Sequence, residues 1–129
     1  MNKIVWLTPL ALLICAQASA QTWVLTDAEQ GVEKGNWQIS SQKLKLQGAP
    51  FSIEQKVLHG GKQEGSKIIT ITSKDGLTIV LSPTRGMNLL RADGFGVRMG
   101  WDSPVKEVVN PAFINLESRN GLGWLEGFN

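Results

Sequence analysis

A two-residue alternation of apolar and polar side chains runs through the middle of the chain, and it constrains the fold more than any other feature. Phe51, Ile53 and Val57 share one parity, while Ser52, Glu54 and Lys56 take the other. Ile69 and Ile71 alternate with Thr70 and Thr72, and Leu77, Ile79 and Leu81 resume the pattern after Asp75-Gly76. Side chains on a strand point to opposite faces in turn, so this pattern is that of half-buried β-strands. An Asp-Gly between alternating runs is a hairpin signal, because glycine adopts positive φ cheaply. Helical periodicity is almost absent, and the sequence predicts an all-β, antiparallel chain.

Shorter strands are expected at Trp23-Val24-Leu25, at Trp37-Gln38-Ile39, and where Leu44 and Leu46 alternate with Lys43 and Lys45. One short helical turn is expected at Thr26-Asp27-Ala28-Glu29, which has capping-box spacing. A second hairpin is predicted with Asp93-Gly94 as its two-residue turn. That register sets Ala92 opposite Phe95, Leu90 opposite Val97 and Gly86 opposite Trp101. It gathers Phe95, Val97, Met99 and Trp101 into an apolar stripe on one face. On the other face it pairs Arg85 with Asp102 and Leu89 with Arg98. After Asp102 the chain turns polar and irregular, which in an all-β protein marks a functional loop or an interaction surface.

The first twenty residues read as a leader. Lys3 precedes an apolar run from Ile4 to Ala16, and Ala18-Ser19-Ala20 is a small-residue cleavage site. The run is about 13 residues, short of the roughly 20 that a membrane-spanning helix needs. Cleavage after Ala20 is expected, leaving residues 21–129 as a periplasmic or secreted protein with no membrane association. Cys15, the single cysteine, falls inside this leader, so the mature chain carries neither a disulfide nor a thiol nucleophile.

Composition excludes several function classes. Thirteen Lys and Arg stand against eleven Asp and Glu, for a net charge of +2, which gives no footprint for nucleic acid. One histidine excludes every two-histidine metal motif, and nothing in the pattern asks for a metal or cofactor. His59 could act as a general acid or base, or could simply sit solvated beside Gly60-Gly61. There is no G-x-S-x-G elbow to support an esterase. All four arginines, Arg85, Arg91, Arg98 and Arg119, fall between residues 85 and 119, near Trp101 and Trp124. Guanidinium forks and indole faces suit a carbohydrate, whose hydroxyls take donors and whose C–H faces stack. The plain alternative is core tryptophans and surface ion pairs.

Three motifs in order carry a resemblance: Gly60-Gly61-Lys62-Gln63-Glu64-Gly65, then Pro83-Thr84-Arg85-Gly86-Met87, then Gly100-Trp101-Asp102-Ser103-Pro104 with Gly121-Leu122-Gly123-Trp124-Leu125-Glu126-Gly127-Phe128. Across residues 59–129 the chain resembles the aldose-1-epimerase-like family of unknown function, within the galactose mutarotase-like superfold. The resemblance implies an antiparallel β-supersandwich, of which this chain would be an incomplete, N-terminal part. The aromatic-rich end at Leu122, Trp124, Leu125 and Phe128 carries the same expectation.

The resemblance further implies a monosaccharide or sugar derivative bound on a concave face. It puts Arg85 toward the sugar, Trp101, Ser103 and Trp124 in or behind the cleft wall, and Glu64 near the rim. Family members move protons with a His and a Glu that would lie in segments beyond Asn129, so the catalytic residues are unknown here. Asn88 stands where the family often shows Asp. The expected function is thus carbohydrate binding with aldose-epimerase, or mutarotase-like, chemistry in a complete protein. The alternative is a non-catalytic periplasmic sugar-binding or scaffold module.

Overall fold

A computed structural model of the chain describes residues 21–101 and 103–127. The expected leader at residues 1–20, and the Arg85–Asp102 pair, lie outside the described residues. Eight strands are found among them: β1 (Thr26–Asp27), β2 (Val32–Glu33), β3 (Trp37–Ser40), β4 (Phe51–Val57), β5 (Lys67–Ser73), β6 (Thr78–Ser82), β7 (Asn88–Gly94) and β8 (Val97–Met99). β1 and β2 pair as a small hairpin, and β3 to β8 form one six-stranded sheet in sequence order. Every pairing is antiparallel. The all-β, antiparallel expectation holds.

The register explains why this sequence makes an amphipathic sheet. Ile39 lies opposite Ile53, Ile53 opposite Ile71, Ile71 opposite Ile79, Ile79 opposite Ala92, and Ala92 opposite Met99. These pairs form an apolar row crossing all six strands on one face. The other face carries Gln38, Glu54, Thr70, Val80 and Arg91 in the same register. Asp75-Gly76 turns β5 into β6 as expected, with the Ser73 amide bonded to Leu77 O at 2.9 Å and Gly76 at φ 85°.

The apolar face is covered unevenly. At the β3–β4 side the N-terminal segment lies over it. Trp23 packs on Trp37 with ring centroids 6.0 Å apart, and the buried Gln55 donates its amide to Lys34 O and Gly35 O at 2.9 and 2.8 Å. Lys67, on the same face of β5, bonds Glu33 of β2 and so ties the small hairpin to the sheet. At the β7–β8 side Leu89, Val97 and Met99 remain more than half exposed.

Four local expectations are corrected. Residues 26–29 are not helical: Thr26 and Asp27 enter β1, and the Asp27 carboxylate accepts from the Glu29 and Gln30 amides at 2.9 and 3.0 Å, closing a hairpin turn. The short polar side chain competes with helix by holding the backbone amides in a turn. Trp23-Val24-Leu25 is not a strand; only Leu25 O joins the hairpin, accepting from the Lys34 amide at 2.9 Å. Residues 43–46 lie mostly in turns, with Lys45 at φ 54°. The amides of Leu44, Lys45 and Leu46 bond back to Ser40 O, Gln42 O and Ser41 O at 3.1, 3.1 and 3.0 Å, so local turn bonds take the donors that a strand would need.

The fourth correction is the second hairpin. Its two central residues are Phe95 and Gly96, at φ 53° and 76°, not Asp93 and Gly94. Asp93 stays extended to pair with Thr78 of β6 and Arg98 of β8, and its carboxylate bonds Arg91 Nη2 at 2.9 Å. Two added ladder partners and an ion pair outweigh the better turn propensity of Asp-Gly. Leu89 accordingly faces Leu81 and not Arg98. Because the turn moves by two residues, side-chain parity survives: Val97 and Met99 share the face of Gly94 and Ala92. The stripe is an open surface, with Phe95 85% exposed at the tip.

The left-handed backbone at Phe95 has a measurable consequence. A side chain other than Gly, Asn or Asp costs about 1–2 kcal/mol there. Phe95→Asn is therefore expected to stabilise the chain by about 1 kcal/mol in denaturant titration. An unchanged or lowered midpoint would refute the turn assignment.

Candidate functional site

In an antiparallel meander, successive turns alternate between the two ends of the sheet. The β4–β5 loop, the β6–β7 connection and the chain leaving β8 therefore share one end. This alone brings together the three motif regions around residues 60–65, 83–87 and 100–104. The segment 107–110 is latched across them. Arg85 Nη1 donates to Val109 O at 3.0 Å, the Asn110 amide to Lys62 O at 2.7 Å, and Asn110 Nδ2 to Glu64 O at 2.9 Å. The buried Ser66 hydroxyl donates to Val108 O at 2.8 Å, and the Lys62 amide to Glu107 Oε2 at 2.9 Å.

Between the β4–β5 loop and the C-terminal turns lies a cavity of about 600 Å³. Val105, Val109 and Leu125 give it apolar surface, and Lys62, Lys106, Glu107, Arg119 and Glu126 give it charge. Lys62 is ion-paired with Glu126. That hydrogen bond, the ammonium charge and the nearby Arg119 together hold the Glu126 carboxyl below its ordinary value. Such a cavity could receive a hydroxyl-rich ring: carboxylates accept hydroxyl protons, cations donate, and the apolar side chains meet C–H groups.

A smaller hollow of about 190 Å³ lies on the other side of residues 105–107, which line both. It contains Leu90, Arg98, Trp101 and Ser103. A β-bulge in the β6–β7 ladder leaves Leu90 without a partner on β6, and Leu90 lines this hollow.

The expected site residues all reach this end of the sheet, but not one pocket. Trp101 and Ser103 share the small hollow; Trp101 is 54% exposed, and the Ser103 hydroxyl accepts from the Val105 amide at 3.1 Å. Arg85 stands behind Val109, with its guanidinium on the Val109 carbonyl. Trp124 is half exposed on the C-terminal turn, next to Leu125 of the cavity wall. Glu64 braces the β4–β5 loop, accepting from His59 Nδ1 at 3.0 Å and from the Gly60 amide at 2.7 Å. Its carboxyl is lowered below the ordinary value first by the Gly60 amide and then by His59.

A pH dependence follows from that bond. The anionic form of Glu64 is favoured in the fold, so the brace is complete above the ordinary carboxylate value. It is lost as pH falls through the lowered value. Protection of the Gly60 amide, its exchange rate relative to that of an unprotected amide at the same pH, is expected to hold at neutral pH and to fall only on acidification below that range. Exchange that is already fast at pH 7 would contradict the brace.

Sequence reading did not single out Lys62, Lys106, Glu107, Arg119 and Glu126 as a group. The Lys62–Glu126 pair spans 64 positions, and no local pattern announces a contact of that separation. The one available signal was the glycine-rich stretch that carries Lys62.

Residues 63–129 match the family model described as Domain of unknown function (DUF4432). The chain belongs to this family. A crystal structure from Klebsiella pneumoniae subsp. pneumoniae MGH 78578, named as a "putative aldose 1-epimerase", is 82% identical over 84% of this chain, with a TM-score of 0.81. The chain spans about 28% of that protein's length. Comparison with curated proteins gives no match. The resemblance read from the three motifs therefore holds, as does the fold it implied. The DUF4432 match takes in the C-terminal turns and all of the cavity wall except Gly61 and Lys62.

Proposed function

We propose that this DUF4432 chain is a carbohydrate-binding part of an aldose-epimerase-like protein, and that a monosaccharide binds in the 600 Å³ cavity. The observation that carries the proposal is the 82% identity to the aldose-epimerase neighbour, together with a cavity whose charged and apolar lining suits a sugar. Its size lies within the range of about 300–1,000 Å³ usual for small-molecule sites. Arg85 acts by holding Val109 in the wall, and Trp101 and Ser103 shape the adjoining hollow. We further propose export with cleavage after Ala20, on the strength of the leader pattern in residues 1–20.

For chemistry, we propose that this chain binds without supplying the proton-transfer pair. Anomer interconversion needs an acid and a base on two sides of one ring. Here His59 is hydrogen-bonded to Glu64, and neither lines the cavity. Among the described residues no group of three His, Cys, Asp or Glu side chains is placed to hold a metal ion, and no helix is long and apolar enough to cross a membrane. Ligand-observed NMR with galactose and glucose tests both parts. Saturation transfer without faster α/β exchange is expected. Accelerated exchange would overturn the binding-only assignment, and no saturation transfer from either sugar would overturn sugar binding.

A further inference from the structure

We propose that the cavity takes a monosaccharide carrying a carboxylate, and that Arg119 recognises the anionic group. The proposal rests on the sugar-binding reading above and names its substrate class.

The charges in the cavity do not cancel. Lys62 and Glu126 neutralise one another. Glu107 is anchored to the wall by the Lys62 amide, 2.9 Å away. That leaves Lys106 and Arg119 against a single carboxylate. Among the described residues, Lys106 Nζ reaches only Ser103 O, at 3.4 Å. The Arg119 guanidinium donates no hydrogen bond to any described residue, although it lines the cavity close enough to Glu126 to lower that carboxyl. Arg119 and Asn120 stand consecutively in left-handed backbone, at φ 55° and 56°. That conformation is costly for Arg119, though asparagine tolerates it, and strain of this kind clusters at functional sites. The Arg119 side chain is a planar donor fork, the group best matched to a carboxylate.

The rest of the lining narrows the ligand. A bare anion such as phosphate would face Glu107 and Glu126 and leave Val105, Val109 and Leu125 without contacts. A neutral hexose would meet the carboxylates and the apolar wall and offer Arg119 hydroxyl acceptors, but it would bring no anion to balance the excess positive charge. An acidic sugar uses all three kinds of surface at once.

Isothermal titration of the full chain with galacturonate and galactose, which share ring configuration, tests this. Galacturonate is expected to bind about tenfold more tightly at low salt, the preference falling as salt rises. Arg119→Asn should lower galacturonate affinity about tenfold, and asparagine tolerates the left-handed backbone, so the turn is kept. Lys106→Gln should lower it by about threefold, a second reading if the first variant folds poorly. Galactose binding as tightly as galacturonate overturns the carboxylate proposal and leaves sugar binding standing. Binding of neither sugar overturns both. Inorganic phosphate competing as well as galacturonate identifies a plain anion site and also overturns the proposal.

Discussion

Gly123→Ala is expected to release the C-terminal turns from the rest of the chain. A Cβ placed on Gly123 would lie 1.8 Å from Asn115 O, 2.7 Å from Asn115 C and 2.9 Å from Leu116 C. All three are backbone atoms, so no side-chain rotation makes room. Overpacking of this kind costs about 2–3 kcal/mol, or roughly 10 °C in melting temperature for a domain of this size. The strain is local, and the cheapest relief is to free residues 115–127. Limited proteolysis should then cut that segment, while amide exchange in β4 to β6 stays unchanged. Ligand binding should vanish with it, because Arg119, Leu125 and Glu126 lie on the released segment. Gly35→Ala is the control: a Cβ there meets nothing within 4 Å, and a change of no more than about 0.5 kcal/mol is expected. Equal melting temperatures for the two variants would mean that the 115–123 contact does not hold the wall.

The second large effect concerns Lys67 and Glu33. The Lys67 side chain is only 10% exposed, on the apolar face beside Ile69 and Ile71, while Glu33 is 64% exposed. Glu33→Gln leaves an ammonium without its counter-charge in a largely apolar place. The expected loss is about 2 kcal/mol, below the 3–5 for a fully buried pair because water reaches Glu33. Adding Lys67→Met should recover most of it, since methionine keeps the stem that covers the face and removes the charge. Chemical denaturation of both single variants and the double variant gives the coupling directly. If Glu33→Gln alone costs nothing, solvent and not Glu33 stabilises the ammonium.

The strands from Phe51 to Ser82 were legible because strand alternation is a local property. Each residue's face follows from its neighbours, and Asp75-Gly76 supplies the turn. The hairpin after Asn88 was legible in kind but not in register. Asp-Gly is the stronger turn signal, yet β6 offers Asp93 a partner in Thr78, and β8 offers another in Arg98. Residues 43–46 read as a strand for the same local reason, but their amides bond back to the carbonyls of Ser40, Ser41 and Gln42 in successive turns. Of the expected site residues, Trp101 and Ser103 meet in one hollow because they follow one another in the chain. Glu64 and Arg85 reach the same end of the sheet, but each is held by its own backbone partners.

The sequence by itself determined the all-β class, the amphipathic face and, through three ordered motifs, the family. All of these depend on residue identity at short spacing. Only the tertiary structure decided where the cavity lies and what lines it. Lys62, Glu107, Arg119 and Glu126 meet because the meander returns its loops to one end and segment 107–110 bonds across them. Those contacts join residues dozens of positions apart, and strand alternation carries no information at that range.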